Sequence, residues 1–176
     1  MDAQKELREL VTYDATSGRF SWNSEPGWIA PNGYRYMKFR GAPRLAHRLA
    51  WLYHFGEEPN GLVDHINGDR RDNRISNLRV ATYSQNSANA KLHSRNTSGL
   101  KGASYLPKKK RWQASITVRN KQMGLGYYKT KEAAHAAYLA AAEKYYGIFA
   151  NSGKPVLDPR RYGEGGATNA VLAFGA

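Results

Sequence analysis

The sequence predicts an α+β chain in two parts, and three observations carry that expectation. Strand-like and helical patterns alternate over residues 1–92, with an Asp-His pair ending the short apolar run "GLVDHI". Three strand-like runs then precede one alanine-rich helical pattern. Between Asp72 and Glu132 there is no acidic residue, so residues 73–131 carry 13 of the 27 Lys and Arg and none of the 14 Asp and Glu. The whole net charge of +13 therefore belongs to one third of a 176-residue chain.

Along the first part, "YDATSGRFSW" places a Ser-Gly turn between two short strand-like pieces. The stretch "GYRYMKFRGAPRLAHRLAWLYHFG" passes from alternation at Tyr34, Tyr36 and Lys38 to a helix whose apolar face holds Leu45, Leu49, Leu52 and Phe55, with Gly56 as its stop. "GLVDHI" reads as a strand, "NGDRRDNRISN" as a loop, "LRVAT" as a second strand and "YSQNSANAKL" as a short helix. The polar segment 93–98 serves as a linker. Beyond it "LKGASY", "RWQASITVR" and "KQMGLGYY" are strand candidates, joined by turns at "PKKK" and around Asn120. The helix "TKEAAHAAYLAAAEKYYG" has Thr130 as its N-cap, Gly147 past its end, and an apolar stripe of Ala134, Tyr138, Ala141 and Tyr145 that covers one face of the sheet. Residues 152–176 form a Gly/Ala-rich tail without periodicity, expected to be loosely ordered.

Composition narrows the chemistry. With no cysteine there are no disulfides, thiol nucleophiles or thiolate zinc sites, so any metal takes oxygen or imidazole ligands. No apolar run approaches the ~20 residues that a membrane span needs, and "MDAQKELREL" is a charged amphipathic segment unlike a signal peptide. Segregated positive charge is the footprint of a polyanion partner, because each neutralised phosphate releases condensed counterions.

Metal-assisted cleavage of a phosphodiester needs hard oxygen ligands, a base with a pKa near neutrality, and something that orients the base. The stretch "VDHINGDRRDNRISNLRVATYSQN" can supply all three. Asp64 offers a carboxylate, and the next strand residue, His65, points to the opposite face and can serve as the base. Asn86 offers a neutral oxygen ligand, and Asn77 can hydrogen-bond across the loop to fix the histidine. A cage of one carboxylate and one amide suits magnesium completed by water and phosphate. The same residue types also build Asx-stabilised loops, and a lone histidine can be purely structural, so residue types alone leave both readings open.

The residues "DHINGDRRDNRISNLRVAT" and "SQN", with "YDATSGRFSW" and "LAHRLAW" upstream, resemble the HNH nucleases of the His-Me finger (ββα-metal) superfamily, in the homing-type group common in phages. The resemblance covers roughly residues 10–92 and implies a ββα core at about 61–92 within a nuclease domain of 1–92. It implies that Asp64 and Asn86 bind Mg2+ (or Mn2+), that His65 is the general base and that Asn77 orients it. Asn86 stands where many members have histidine, which disfavours zinc. Arg70, Arg71, Arg74 and Arg79 would position phosphates, whereas His47 reads as a packed helix residue.

The segment 97–151 resembles the APETALA-two/ethylene-response-factor DNA-binding domain, most closely in "LGYY", "EAAHAAY" and "YYGIFAN". That implies a DNA-binding domain at 99–151, a three-stranded antiparallel sheet backed by one helix and set in a major groove. Its outer face would present Lys101, Ser104, Ser115, Thr117 and Gln122, with Lys108, Lys109, Lys110, Arg111 and Arg119 on the DNA backbone. Several positions that are arginine in the plant domains are Ser, Thr or Gln here, so their target sequence does not transfer. The expectation is a phage-type DNA endonuclease acting on double-stranded DNA in the cytoplasm of an infected host, with nicking by a monomer the simpler outcome and double-strand cleavage requiring a dimer or a second engagement. The alternative is a catalytically silent DNA-binding regulator; RNA is a third partner class that basic charge does not separate from DNA.

Overall fold

The computed structural model describes residues 2–22 and 27–153. The expected tail lies mostly outside them. The described chain is mixed α/β, with four α-helices and four small antiparallel sheets. It divides into two compact units at Ala81/Thr82.

In the first unit, helix α1 (Ala3–Leu10) begins where the Asp2 carboxylate accepts a hydrogen bond from the Gln4 N–H at 3.0 Å. Strands β1 (Val11–Asp14) and β2 (Arg19–Trp22) form the expected hairpin. Asp14 ties its turn, accepting from the Thr16 N–H at 2.9 Å and the Ser17 hydroxyl at 2.6 Å. Strands β3 (Trp28–Ile29), β4 (Arg35–Phe39) and β5 (Ala42–Leu45) make a second antiparallel sheet. Met37 and Phe39 alternate inward from β4 onto Leu7, Val11 and Leu49, which form one core cluster.

Helix α2 (Ala46–Phe55) ends at Gly56, whose φ of +84° is the left-handed stop that glycine adopts without a Cβ penalty. Its buried face is wider than the leucine stripe alone, taking in Ala46, His47, Ala50 and Trp51, because α2 lies between two clusters. Leu45 is the last residue of β5 and half-buried. The second cluster joins Tyr13, Ala50 and Trp51 to Val63 of β6 (Leu62–His65) and Leu78 of β7 (Leu78–Ala81). These two strands pair antiparallel with Asp64 opposite Arg79 and His65 opposite Leu78.

In the second unit, α3 (Tyr83–Asn89) opens with a capping box in which Thr82 and Gln85 satisfy each other's backbone N–H groups. The polar segment 93–98 is not extended chain. Asn96 accepts from the Gly99 N–H at 2.7 Å, and the Ser98 hydroxyl donates to the Leu100 carbonyl at 2.8 Å, so the segment is a tied turn. Strands β8 (Ala103–Leu106), β9 (Arg111–Val118) and β10 (Lys121–Tyr128) form an antiparallel sheet in the order β10-β9-β8. Arg119 and Asn120, both at positive φ, turn β9 into β10.

Helix α4 (Lys131–Tyr146) begins at Thr130 and ends at Gly147, as the sequence indicates. Its buried stripe is Ala134, Tyr138 and Ala142, a strict i, i+4, i+8 row, rather than one through Ala141 and the exposed Tyr145. The small residues let the helix lie close on Ala103, Ala114 and Ile116, and a Cβ added at Gly102 would stand 2.1 Å from Cδ2 of Tyr138.

Candidate active site

Strand β6 delivers two adjacent buried polar residues, Asp64 at 5% exposure and His65 at 4%. They have separate surroundings. On one side the Asp64 Oδ2 accepts from Nε of Arg79 at 2.9 Å across the β6–β7 pair, and Nη2 stands 2.9 Å from the same oxygen as an ion pair. Arg79 is itself 3% exposed, so this is a buried ion pair and not a surface contact. That corrects the expectation that Arg79 positions phosphate: its guanidinium is committed to the carboxylate beside the histidine.

On the other side, His65 Nε2 stands 3.1 Å from Oδ1 of Asn73. The His65 ring packs edge-on to that of His47 with centroids 5.0 Å apart, and Tyr34 lies 6.0 Å away. Burial holds the His65 imidazole below its ordinary pKa, against the opposing pull of the Asn73 hydrogen bond and the nearby Asp64, Asp72 and Asp69 carboxylates. His65 is thus a neutral imidazole at pH 7, the form that can take a proton.

The expected contact of Asn77 with the histidine takes a different form. Asn77 Oδ1 accepts from the Asn67 N–H at 3.0 Å, while its Nδ2 donates to Asn67 Oδ1 at 3.0 Å and to the Asp72 carbonyl at 2.8 Å. Asn77 therefore ties the loop from Asn67 to Asp72, and it is Asn73, one residue further, that meets His65. In the sequence Asn73 is one of several asparagines in the loop "NGDRRDNRISN". Its only signal was an amide eight residues beyond the histidine in a loop that must fold back.

His47 is packed, as expected of it, but packed on the candidate base. Burial, with His65 and Arg48 adding to it, depresses its pKa to about 3. The unfolded chain, with a histidine pKa near 6.5, therefore binds the proton first as pH falls. Stability is complete above about pH 6.5 and declines below it by up to about 1.4 kcal/mol per pH unit until about pH 3, with His65 adding in the same sense. Thermal melts between pH 7 and pH 4 should show this decline, and His47→Asn should flatten it.

Of the loop arginines, Arg71 is exposed. Arg70 donates to the Asn32 carbonyl at 2.6 Å and lies 4.8 Å from the centre of the Tyr34 ring. Arg74 pairs with Asp72 at 2.6 Å, which holds the Asp72 carboxyl below its usual range.

In the second unit, Asn86 sits half-buried in the middle of α3. The sheet face away from α4 carries Ser104, Ser115, Thr117 and Gln122, and Gln122 Nε2 donates to the Ser115 hydroxyl at 3.3 Å. The register adds Gln113, opposite Ser104, and Tyr127, whose ring lies 3.9 Å from the Lys109 ammonium. Strict alternation from Ser115 would have found Gln113. Trp112 turns the other way, onto Ala103 and Ala114. Lys108, Lys109, Lys110, Arg111 and Arg119 are exposed at the ends of the strands.

Lys101 departs from its expected place on that face. It precedes β8, and its Nζ donates to the Ala88 and Ala90 carbonyls at 2.6 and 2.7 Å, with burial lowering its pKa to about 8. It caps the end of α3.

Among the described residues no group of three or more His, Cys, Asp or Glu could hold a metal ion, and no helix is long and apolar enough to cross a membrane.

Residues 44–88 match the family model described as HNH endonuclease, a span that contains Asp64, His65, Asn73, Asn77 and Asn86. The chain is similar to protein 3.8 of Escherichia phage T7, at 39% identity over 88 residues that span 49% of this chain and 72% of the relative. It is also similar to an uncharacterized HNH endonuclease of Acanthamoeba polyphaga mimivirus, at 30% identity over 128 residues that span 72% of this chain and 66% of the relative. No solved structure matches the chain. Residues 44–88 thus form an HNH endonuclease family domain, in a chain that is similar to a viral HNH endonuclease.

Proposed function

We propose that the protein is a metal-dependent DNA endonuclease in which His65 is the general base, Asp64 and Asn86 hold one Mg2+ (or Mn2+), and the second unit supplies DNA binding. The observation that carries this reading is the Asp64–His65 pair on β6: a buried histidine kept neutral beside a carboxylate whose charge Arg79 balances.

The donor set suits a hard cation, since an Asp carboxylate and an Asn amide offer only oxygen, and HNH endonucleases are generally divalent-metal dependent. When bound, the ion supplies Lewis acidity toward the phosphate and the departing oxygen. His65 takes a proton from the attacking water. His47 and Tyr34 pack against its ring and limit its rotation, and Asn77 holds the loop that borders it. Exposed Arg71, with Arg70 and Arg74 at the rim, would position the phosphate backbone. One such site per chain cuts one strand, so a monomer would nick.

The APETALA-two-like reading of residues 99–151 is supported by an antiparallel three-stranded sheet backed by one helix, with Ser104, Gln113, Ser115, Thr117, Gln122 and Tyr127 on the outer face. Such a face can reach base edges while Lys108, Lys109, Lys110, Arg111 and Arg119 meet phosphates. Replacing Lys108, Lys109 and Lys110 together by alanine should flatten the slope of log affinity against log salt by up to about 3, read by fluorescence anisotropy on a DNA duplex.

A catalytically silent DNA-binding regulator is the second reading. It is favoured by one observation, the buried ion pair that engages Asp64 Oδ2 with Arg79. Supercoiled plasmid incubated with and without magnesium separates the two. Magnesium-dependent nicking supports the enzyme, and binding without cleavage in either magnesium or manganese supports the regulator.

A further inference from the structure

We propose that Asn73 is a positioning residue that holds His65 as its Nε2–H tautomer and thereby assigns Nδ1 as the nitrogen that accepts the proton. The proposal rests on the reading of His65 as the base.

An amide oxygen can only accept, so the ring nitrogen 3.1 Å from Asn73 Oδ1 carries the hydrogen. In a neutral imidazole that leaves the lone pair on Nδ1. Both partners are almost fully buried, His65 at 4% and Asn73 at 3%, so water does not compete for the bond.

Asn73 is also fixed from two directions. Its carbonyl accepts from the buried Tyr13 hydroxyl at 2.7 Å. The β1–β2 turn presses on the same backbone: a Cβ at Gly18 would lie 2.6 Å from the Asn73 carbonyl carbon and 2.4 Å from the Arg74 nitrogen, and the Ile75 N–H donates to the Ala15 carbonyl at 3.1 Å. From the other side Asn77 holds the Asp72 carbonyl, and Asn67 Nδ2 holds the Asp72 carboxylate at 2.8 Å. The first hairpin of the chain and the loop asparagines thus converge on one amide, and that amide addresses one ring nitrogen.

In the cleavage step, water gives a proton to Nδ1 and its oxygen forms the new bond to phosphorus as the bond to the departing oxygen breaks. The imidazolium keeps its Nε2–H on Asn73. That hydrogen bond becomes charge-assisted as the proton arrives, so it is stronger in the transition state than before it.

Long-range 1H–15N spectra of the 15N-labelled full chain at pH 8 read the tautomer directly, without DNA or metal. The wild type should show His65 protonated at Nε2 and unprotonated at Nδ1. Asn73→Asp, which retains an acceptor, should keep that state, whereas Asn73→Leu should release a mixture of tautomers. In single-turnover nicking, Asn73→Leu should lose roughly 10- to 100-fold in rate with DNA affinity unchanged, the size of effect typical of groups that orient a metal-ligating histidine through its other ring nitrogen. A wild-type His65 protonated at Nδ1, or a folded Asn73→Leu with an unchanged tautomer, overturns the proposal. Should Asn73→Leu not fold, the wild-type and Asn73→Asp spectra decide alone. An Nε2–H wild type that cuts no DNA supports the tautomer assignment and overturns the base reading only.

Discussion

Replacing Arg79 by alanine is expected to destabilise the first unit by roughly 3–5 kcal/mol, the typical cost of removing one member of a buried ion pair. The cost comes from what stays behind. Asp64 is 5% exposed and its Oδ2 takes one hydrogen bond from the guanidinium and pairs with its charge at 2.9 Å, so truncation removes the cation that balances a buried carboxylate. The cross-strand register sets Asp64 opposite Arg79, so the strain falls on the β6–β7 pair that presents His65.

A double-mutant cycle isolates the interaction, because the charge is absent when Asp64→Asn is combined with Arg79→Ala. Urea denaturation of the wild type, the two single variants and the double variant should show the double variant less destabilised than the sum of the singles. Additive losses would mean that the pair contributes packing alone.

The second large effect concerns rate. His65→Ala should slow DNA nicking by about 10²- to 10⁴-fold, the usual contribution of a general base. Binding should survive, because the variant leaves the basic positions of the second unit and the exposed loop arginines in place. The pH dependence has a definite direction: burial lowers the His65 pKa, so the acid limb of the wild-type rate profile should fall below the ordinary histidine midpoint of about 6.5.

The elements legible in the sequence are those written in local pattern. Alternation and turn residues give β6, β7 and the three strands of the second unit. Thr130, Gly56 and Gly147 mark helix ends because capping chemistry acts within one turn. What was not legible depends on partners distant in the chain. Arg79 reads as one more basic residue until the register sets it against Asp64 fifteen positions earlier. Asn73 reads as turn filler until the β1–β2 hairpin fixes its backbone from sixty positions away. Lys101 reads as a strand charge, yet its ammonium is drawn to the open carbonyls at the end of α3. The stripe on α4 departs from the sequence pattern at Ala141 and Tyr145, because alanines in a run carry no contrast and only the packing against Ala114 and Ile116 sets the phase.

Whether His65 activates water beside an oxygen-ligated divalent ion is decided by single-turnover nicking of supercoiled plasmid in magnesium by the wild type and His65→Ala, with DNA binding measured in parallel. The wild type should nick only with magnesium, and the variant should bind DNA equally but cut at a rate lower by about 10²- to 10⁴-fold. Equal cleavage by the two proteins, or cleavage by neither in magnesium or manganese, would contradict that role of His65.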